Sequence, residues 1–274
     1  MPSYTDRFED IVREFEEAGI PVDAPGFFDH PAFAERLAGD PDYRNLYARF
    51  VKERPYTPEY LAYAEKTLQT VCDILHQELI EDGRLGACID MSLALSRMLD
   101  KLGVWNFPVL GALTTTYPEH TEIPRGFYWP VDHGAIDAGH AWLFAPPFTV
   151  IDLTFGRQYF NPGVEAYHPD AVYSREVSDV PVLIEDICSS SILMEMDAQG
   201  LTWDLKGLFS THPHFEAFFK TFPRAVVTHA GAAHKFIPVA VGVLDQPLEE
   251  MTDLQLNGMS GHAIFEEKIK PLFA

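Results

Sequence analysis

The first 83 residues carry apolar side chains at the three- and four-residue spacing of amphipathic helices. Together with helix-starting Thr, Asp and Pro residues and closing glycines, this spacing predicts four helices. The first helix ends near Gly19, and the second and third cover residues 31–38 and 41–53. The fourth begins at Thr57-Pro58 and ends near Asp82-Gly83. Cys72 lies in the apolar stripe of the last helix, which predicts a buried core cysteine. Residues 1–83 are therefore predicted to form a helical extension that packs on the rest of the chain.

Beyond residue 104 the apolar runs become short and rich in β-branched and aromatic residues, which favours strands. Strands are predicted over residues 105–113, 140–144, 148–154, 182–184, 225–227 and 236–244. The strands before and after Pro146-Pro147 are predicted to be neighbours in one sheet. Helices are predicted over residues 211–222 and at the C-terminus, ending at Phe273. The mixture of helices and strands predicts an α+β fold.

A further helix, bounded by Gly86 and Gly103, carries Cys88 in its first turn. Apolar residues at helical spacing place this cysteine on the inward face of the helix. A thiol at a helix N-terminus lies beside free backbone N–H groups and the positive end of the helix dipole, which favour a thiolate. The same N–H groups can bind a developing oxyanion. The alternative is that Cys88 is an inert core residue.

The two strands that flank the proline pair contribute a histidine and an aspartate. Because side chains alternate along a strand, His140 and Asp152 are predicted to lie side by side on one sheet face. With Cys88 they form the nucleophile, base and orienting acid of thiol acyl-transfer chemistry. The alternative for Asp152 is a turn cap before Thr154, and Asp137 is a rival orienting acid.

Residues 114–138 are predicted to form a long loop between the cysteine helix and the histidine strand, and loops of this length are usually functional or mobile. Its aromatic residues either line a substrate groove or pin the loop to the surface. Three aromatic residues are candidates for substrate contact: Tyr128, Trp129 and Trp142. Gln77 is a candidate second oxyanion donor, or else a surface residue of its helix. Cys188 is a second, weaker nucleophile candidate, but it has no matching helix start and no histidine near it in sequence, so an inert core residue is the preferred interpretation.

Composition limits the compartments and partners of the protein. The formal net charge is -21, which disfavours nucleic acid and anionic membranes, because phosphate binding needs clustered Lys and Arg. The three cysteines are widely spaced and odd in number, so a reducing, cytoplasmic location is predicted. The N-terminus lacks the features of a signal peptide, and no apolar run is long enough to span a bilayer. No cofactor is predicted.

The eleven histidines raise the alternative of a metal-assisted hydrolase. Candidate ligands are His120, His133 and His140 with Asp152, or the pair His212 and His214. The chain has no HExxH or comparable spacing, and a catalytic zinc needs three convergent ligands. Histidines scattered over loops are more often solvated, so no metal site is predicted.

The order of these elements resembles the transglutaminase-like branch of the papain-like cysteine protease superfamily. The resemblance covers about residues 70–156 and rests on the Gly-x-Cys-x-Asp-x-Ser helix start and the His-Ala-Trp and Ile-Asp-Leu-Thr strands. It implies a core, over residues 84–274, in which the cysteine helix packs on an antiparallel sheet. It also implies that Cys88 is the nucleophile, His140 the base and Asp152 the orienting acid.

Members of this superfamily include transglutaminases, peptidases, protein deamidases and amide-forming acyltransferases, and some relatives are inactive. The sequence therefore predicts a thiol-dependent enzyme that acts on an amide of a protein, a peptide or a small molecule through a thioester. The alternative is a non-catalytic binding module that keeps the fold. Residues 157–274 give no indication of the substrate.

Overall fold

The computed structural model describes residues 7–132, 135–136, 139–201, 203–211, 213–242 and 246–273. The α-helices are α1 (Phe8–Glu17), α2 (Pro31–Gly39), α3 (Tyr43–Glu53), α4 (Pro58–Asp82), α5 (Cys88–Lys101), α6 (Ile184–Ile187), α7 (Ser190–Ala198), α8 (Leu205–Thr211), α9 (Pro213–Thr221) and α10 (Gly261–Ile264). The strands are β1 (Phe107–Thr116), β2 (Gly126–Tyr128), β3 (Val131–Asp132), β4 (Ala135–Ile136), β5 (His140–Ala145), β6 (Phe148–Asp152), β7 (Val172–Ser174), β8 (Ala225–His229), β9 (Ala232–Val241), β10 (Gln255–Leu256) and β11 (Met259–Ser260).

One antiparallel sheet of seven strands organises the fold. Its strand order is β7-β6-β5-β1-β9-β8, and β2 pairs with the far end of β1. The predicted neighbours β5 and β6 pair as a hairpin, with Leu143 opposite Ile151. Helices flank the sheet, so the α+β class predicted from sequence is confirmed.

Alternation along β5 gives the sheet two different faces. Trp142 belongs to a core shared with Phe107, Phe236 and the aromatic residues of α1, α2 and α3. Leu143, the next residue, points to the opposite face and packs in an aliphatic core with α4, α5 and the C-terminal residues. Because successive side chains of a strand point in opposite directions, one sheet separates an aromatic core from an aliphatic one.

The first 83 residues are divided between these two cores. Helices α1, α2 and α3 pack on the aromatic face, where Phe15 contacts the rings of Phe27, Phe33, Tyr43 and Phe50 at centroid distances of 4.9–6.0 Å. Helix α4 lies on the aliphatic side with α5. The buried guanidinium of Arg97 in α5 donates two hydrogen bonds to Asp29, which joins the N-terminal helices to α5.

Three local predictions differ from the structure. The strand predicted over residues 182–184 is wrong, because Ile184 begins α6 and the Asp186 carboxylate accepts from the Leu183 N–H at 2.9 Å. Residues 114–138, predicted to be a loop, include the end of β1 together with β2, β3 and β4. The C-terminal helix is reduced to α10 followed by π and 3-10 turns that end at Leu272.

The aromatic cluster around Phe15 yields a test of the fold. Phe15→Ala should lower the free energy of unfolding by about 3–5 kcal/mol, because it removes a fully buried ring and leaves a cavity between α1 and α3. Urea unfolding followed by circular dichroism measures this loss. Met194→Ala on the exposed face of α7 is the control and should change stability by less than about 0.5 kcal/mol. Equal effects of the two substitutions would contradict the cluster's role.

Candidate active site

His140 and Asp152 meet at one edge of the sheet. His140 is the first residue of β5 and Asp152 the last of β6, so antiparallel pairing brings them to the same end. The imidazole Nε2 lies 2.6 Å from Asp152 Oδ2, and the two residues are 0% and 1% exposed. The predicted side-by-side placement of these two residues is therefore present in the structure.

The second oxygen of the Asp152 carboxylate is held by the turn that follows β6. Thr154 donates to Oδ1 twice, through its backbone N–H at 2.9 Å and its hydroxyl at 2.8 Å. Gln158 in turn donates to the Thr154 carbonyl at 3.1 Å. Asp152 thus caps a turn with one oxygen and binds His140 with the other, so the two alternatives raised by the sequence occur together. The rival acid Asp137 lies outside the described residues.

The position of β1 that pairs with His140 has room only for glycine. Gly111 of β1 pairs with His140, and a Cβ there would lie 2.2 Å from the Ile237 carbonyl oxygen and 2.4 Å from the Trp142 ring. Trp142 fills this space, packs edge-on against Phe236 and is 1% exposed. The prediction that Trp142 contacts substrate is therefore wrong, because its side chain is enclosed by the aromatic core.

Cys88 approaches the imidazole from α5, which packs on β5. It is the first residue of this helix and is 8% exposed. The Nδ1 atom of His140 is buried and has no hydrogen-bond partner among the residues that the structure describes. Nε2 is occupied by Asp152, so Nδ1 is the nitrogen left to exchange a proton with a neighbouring group.

The electrostatic balance at His140 favours the imidazolium. Burial lowers the pKa of His140, but the Asp152 carboxylate and the Cys88 sulfur together outweigh that penalty and raise the pKa above its usual range. A proton taken from a nearby thiol is therefore well accommodated on this imidazole. The arrangement has the chemical requirements of a nucleophile paired with a base that a carboxylate orients.

Tyr128 and Trp129, neighbours in the segment predicted to be a loop, make contacts with different parts of the molecule. The Tyr128 ring lies 5.8 Å from the His140 ring, and its hydroxyl donates to the Tyr159 carbonyl at 2.9 Å. Trp129 instead donates from Nε1 to the Glu185 carbonyl at 2.8 Å and stacks on Phe127. Tyr128 is therefore beside His140, whereas the prediction that Trp129 binds substrate is not supported, because its ring is fixed against the residues of α6.

Gln77 does not join the other candidates. Its side chain is exposed on α4 and donates to Glu81 at 2.7 Å, one helical turn away. The prediction of an oxyanion role for Gln77 is therefore corrected to its alternative, a surface residue of the helix.

The other two cysteines are enclosed by apolar neighbours. Burial raises the pKa of the Cys72 thiol, and it raises the pKa of the Cys188 thiol to about 11. Both side chains belong to core clusters, which agrees with their prediction as core residues. Neither has the low-pKa environment of a reactive thiol.

Within the described residues no group of three or more His, Cys, Asp or Glu side chains is arranged to hold a metal ion. His120 is exposed on a short 3-10 turn. His133 and His212, and the side chain of His214, lie outside the described residues.

Two further histidines are buried behind the site, contrary to the expectation that those on loops are solvated. His234 accepts from the Thr115 hydroxyl at Nδ1 and donates from Nε2 to the Tyr167 carbonyl, at 3.0 and 2.9 Å. His168 Nε2 lies 2.9 Å from the Tyr117 hydroxyl. A carbonyl only accepts, so Nε2 of His234 carries a proton.

Burial lowers the pKa of both histidines, His168 and His234, to about 4. Proline-rich and irregular sequence around residue 168 gave no sign of this burial. Their hydrogen-bond partners, Thr115 and Tyr117, lie near the end of β1 and are far from both histidines in sequence. Strand pairing in the folded sheet brings Thr115 opposite His234.

Comparison of the chain with models of known protein families, with curated proteins and with solved structures found no match. Among the helices in the described part of the chain, none combines the length and the apolar character that crossing a membrane requires. The interpretation of the site therefore depends on its own geometry.

The charge balance at His140 can be tested directly. Asp152→Asn should lower the pKa of His140, because the burial penalty remains while the carboxylate that offset it is lost. Nuclear magnetic resonance titration of the imidazole nitrogens measures this pKa. Asp253→Asn, which removes an exposed carboxylate, should leave it unchanged. An unaltered His140 titration in Asp152→Asn would show that the carboxylate does not control the imidazole.

The buried histidines predict acid sensitivity. Between pH about 6.5 and about 4 the unfolded chain binds protons at residues 168 and 234 that the folded chain does not, so stability falls as the pH is lowered through this window. The melting temperature of the double variant His168→Gln/His234→Gln should depend less on pH over this range. His120→Gln, on an exposed 3-10 turn, is the control and should retain the wild-type slope. A double variant with the wild-type slope would refute this assignment.

Proposed function

We propose that the chain is a thiol-dependent acyl-transfer enzyme that acts on an amide carbonyl. The observation that carries the proposal is the buried His140–Asp152 hydrogen bond beside Cys88, which leaves the imidazole Nδ1 without another partner. A histidine so oriented can take a proton at one nitrogen while the carboxylate stabilises the charge at the other. Each side chain then has one role: Cys88 is the nucleophile, His140 the base and Asp152 the orienting acid.

The proposed reaction begins with transfer of the Cys88 proton to His140 Nδ1. The thiolate attacks the amide carbonyl carbon, and a carbon–sulfur bond forms as the carbonyl oxygen becomes an oxyanion. When the carbon–nitrogen bond breaks, His140 returns the proton to the leaving amine. Water, or a second amine, then attacks the thioester carbonyl carbon while His140 takes a proton from it. The carbon–sulfur bond breaks, the acyl group leaves with the new oxygen or nitrogen, and His140 returns the proton to the Cys88 sulfur. No cofactor is needed for these steps.

The start of α5 supports stabilisation of the oxyanion. The Met91 N–H donates to the Ala87 carbonyl, so the N–H groups of the residues before Met91 precede the first helical hydrogen bond. Ala87 has no polar side chain to cap them, whereas Thr57 and Ser189 cap the starts of α4 and α7. Free N–H groups at the positive end of a helix favour a developing negative charge.

The proposal extends to the fold family and to the partners. The succession of a cysteine helix and two adjacent antiparallel strands supports a core of the transglutaminase-like, papain-like type over residues 84–274, with residues 1–83 as an extension. The substrate is proposed to be a protein, a peptide or a small amide. Three free cysteines support a reducing, cytoplasmic location, and the net charge of -21 disfavours nucleic acid.

Burial of the candidate residues favours a second function, a binding module without catalysis. Cys88 is 8% exposed, and His140 is fully buried. A module of this kind would keep the charged pair as a structural element of the core. In that case the Cys88 thiol would react slowly with every electrophile, as structural cysteines do.

Acyl capture separates the two functions. p-Nitrophenyl acetate should acetylate Cys88 as a thioester that hydroxylamine releases, and mass spectrometry locates the acetyl group. Cys88→Ala should lose this capture, and Asp152→Asn should slow it about tenfold or more, since an oriented base contributes about 10²–10⁴-fold to such reactions.

Cys72→Ala and Cys188→Ala are the matched controls, because each removes one thiol from a core and leaves the charged pair intact. Both should be acetylated at the wild-type rate. Full capture in Cys88→Ala would eliminate the proposed nucleophile. Acetylation of Cys88 no faster than that of an unfolded cysteine peptide would favour the binding module.

A further inference from the structure

A tyrosine of the chain itself lies two residues from the proposed nucleophile, on Gly86. After the turn that holds Asp152, the backbone passes beside Gly86, whose N–H donates to the Arg157 carbonyl at 2.8 Å. The Tyr159 ring then rests on Gly86, so closely that a Cβ at position 86 would lie 2.6 Å from the ring atom Cε2. Gly86 has a φ of +69° and stands two residues before Cys88. Glycine therefore provides a flat surface for an aromatic ring at the entrance to the cysteine helix.

A backbone carbonyl is held at the same place. The Tyr128 hydroxyl donates to the Tyr159 carbonyl at 2.9 Å, and the Tyr128 ring lies against His140. The pKa of Tyr128 is raised, first by burial and then by the nearby Cys88 sulfur, so the phenol remains protonated and donates. A phenolic donor beside the thiol thus binds an amide carbonyl, the functional group on which the proposed enzyme acts.

The two neighbouring aromatic residues of this segment are held very differently. The Phe160 ring packs against the His168 and Tyr128 rings at centroid distances of 3.6 and 5.7 Å. Tyr159 is 73% exposed, and its ring contacts Gly86 from the solvent side. Phe160 therefore anchors the segment. Displacing the Tyr159 ring from Gly86 costs little free energy, because few apolar contacts hold that ring.

We propose that Gly86 and Tyr128 form a substrate subsite for a peptide segment with an aromatic side chain, and that Tyr159 occupies this subsite in the free protein. The ligand displaces residue 159 as a whole: a carbonyl of the ligand replaces the Tyr159 carbonyl at the Tyr128 hydroxyl, and the ligand's aromatic ring replaces the Tyr159 ring on Gly86. The inference rests on the proposed function, since it deepens the same site. We call Gly86 and Tyr128 the aromatic subsite.

Alkylation of Cys88 by iodoacetamide tests whether the Tyr159 ring limits access to the thiol, and it requires no enzymatic turnover. Tyr159→Ala should raise the rate of Cys88 alkylation by about threefold or more, because it opens the route to the thiol. Tyr63→Ala is the matched control: it removes another exposed tyrosine, on α4, and should leave the rate unchanged. Site-specific mass spectrometry measures the alkylated fraction with time.

Protection by a small ligand tests the aromatic subsite. N-acetyl-tyrosine amide should slow Cys88 alkylation in Tyr159→Ala, whereas N-acetyl-alanine amide at the same concentration should not. Adding Tyr128→Phe to Tyr159→Ala should weaken the protection, because it removes only the hydroxyl donor. Tyr63→Phe is the control, since it also removes a tyrosine hydroxyl that donates to a backbone carbonyl, that of Leu102.

An alkylation rate in Tyr159→Ala equal to the wild-type rate would overturn the inference, as would equal protection by the two amides. Its failure is distinguishable from that of the proposed function. Acetyl capture at Cys88 without any effect of Tyr159→Ala would refute the subsite and leave the enzyme. Selective protection without acetyl capture would support the subsite as a peptide-binding site and refute the catalysis.

Discussion

A hydrogen-bonded pair of ionisable groups enclosed by apolar side chains constrains the whole structure. An ionised carboxylate removed from water is strongly destabilising unless its oxygens find partners, and an imidazolium has the same requirement. Asp152 meets it with His140 on one oxygen and Thr154 on the other. The register of β5 and β6 is fixed by the same need. A slip of either strand by one residue would turn its charged side chain to the opposite sheet face and leave both groups without a partner.

The two cores of the molecule come together at this pair. His140 is surrounded by rings of the aromatic core, whereas Ala87 and Met91, on either side of Cys88, belong to the aliphatic core. The thiol and the imidazole thus arrive from opposite faces of the sheet and meet where the strands end. Rigid elements on both sides hold the two groups, and such support from packed elements is what preorganised sites require.

The sequence predicted the elements better than their surroundings. Helical spacing identified α5 with its cysteine, and alternation was sufficient to place His140 beside Asp152. Alternation also placed Trp142 on the same face, but it does not show whether a face is open. The aromatic residues of α1 and α3 cover that face, and their contact with β5 joins residues far apart in the chain.

The same limit explains the other corrections. Trp129 and Tyr128 are adjacent in sequence, and only the position of α6 determines which of them faces the candidate site. Gln77 falls on the outer side of α4, because the inner side of that helix is occupied by its apolar stripe. The burial of His168 depends on Phe160 and Tyr117, which belong to different parts of the chain. Local patterns do not encode such long-range contacts.

The strand order also affects how separate molecules meet in solution. The outer strand β7 is only three residues long and is followed by Arg175 and Glu176, so it offers a short and charged edge for pairing with another sheet. The opposite outer strand, β8, is partly covered by the chain itself, because the Ser178 N–H, after β7, donates to the carbonyl of Arg224, just before β8, at 2.9 Å. Its other end carries the exposed residues Thr228 and His229. At a net charge of -21, neighbouring copies also repel each other. These features predict resistance to association between copies of the chain at low ionic strength. Added salt screens the charge repulsion, whereas the short sheet edges still limit strand pairing between molecules.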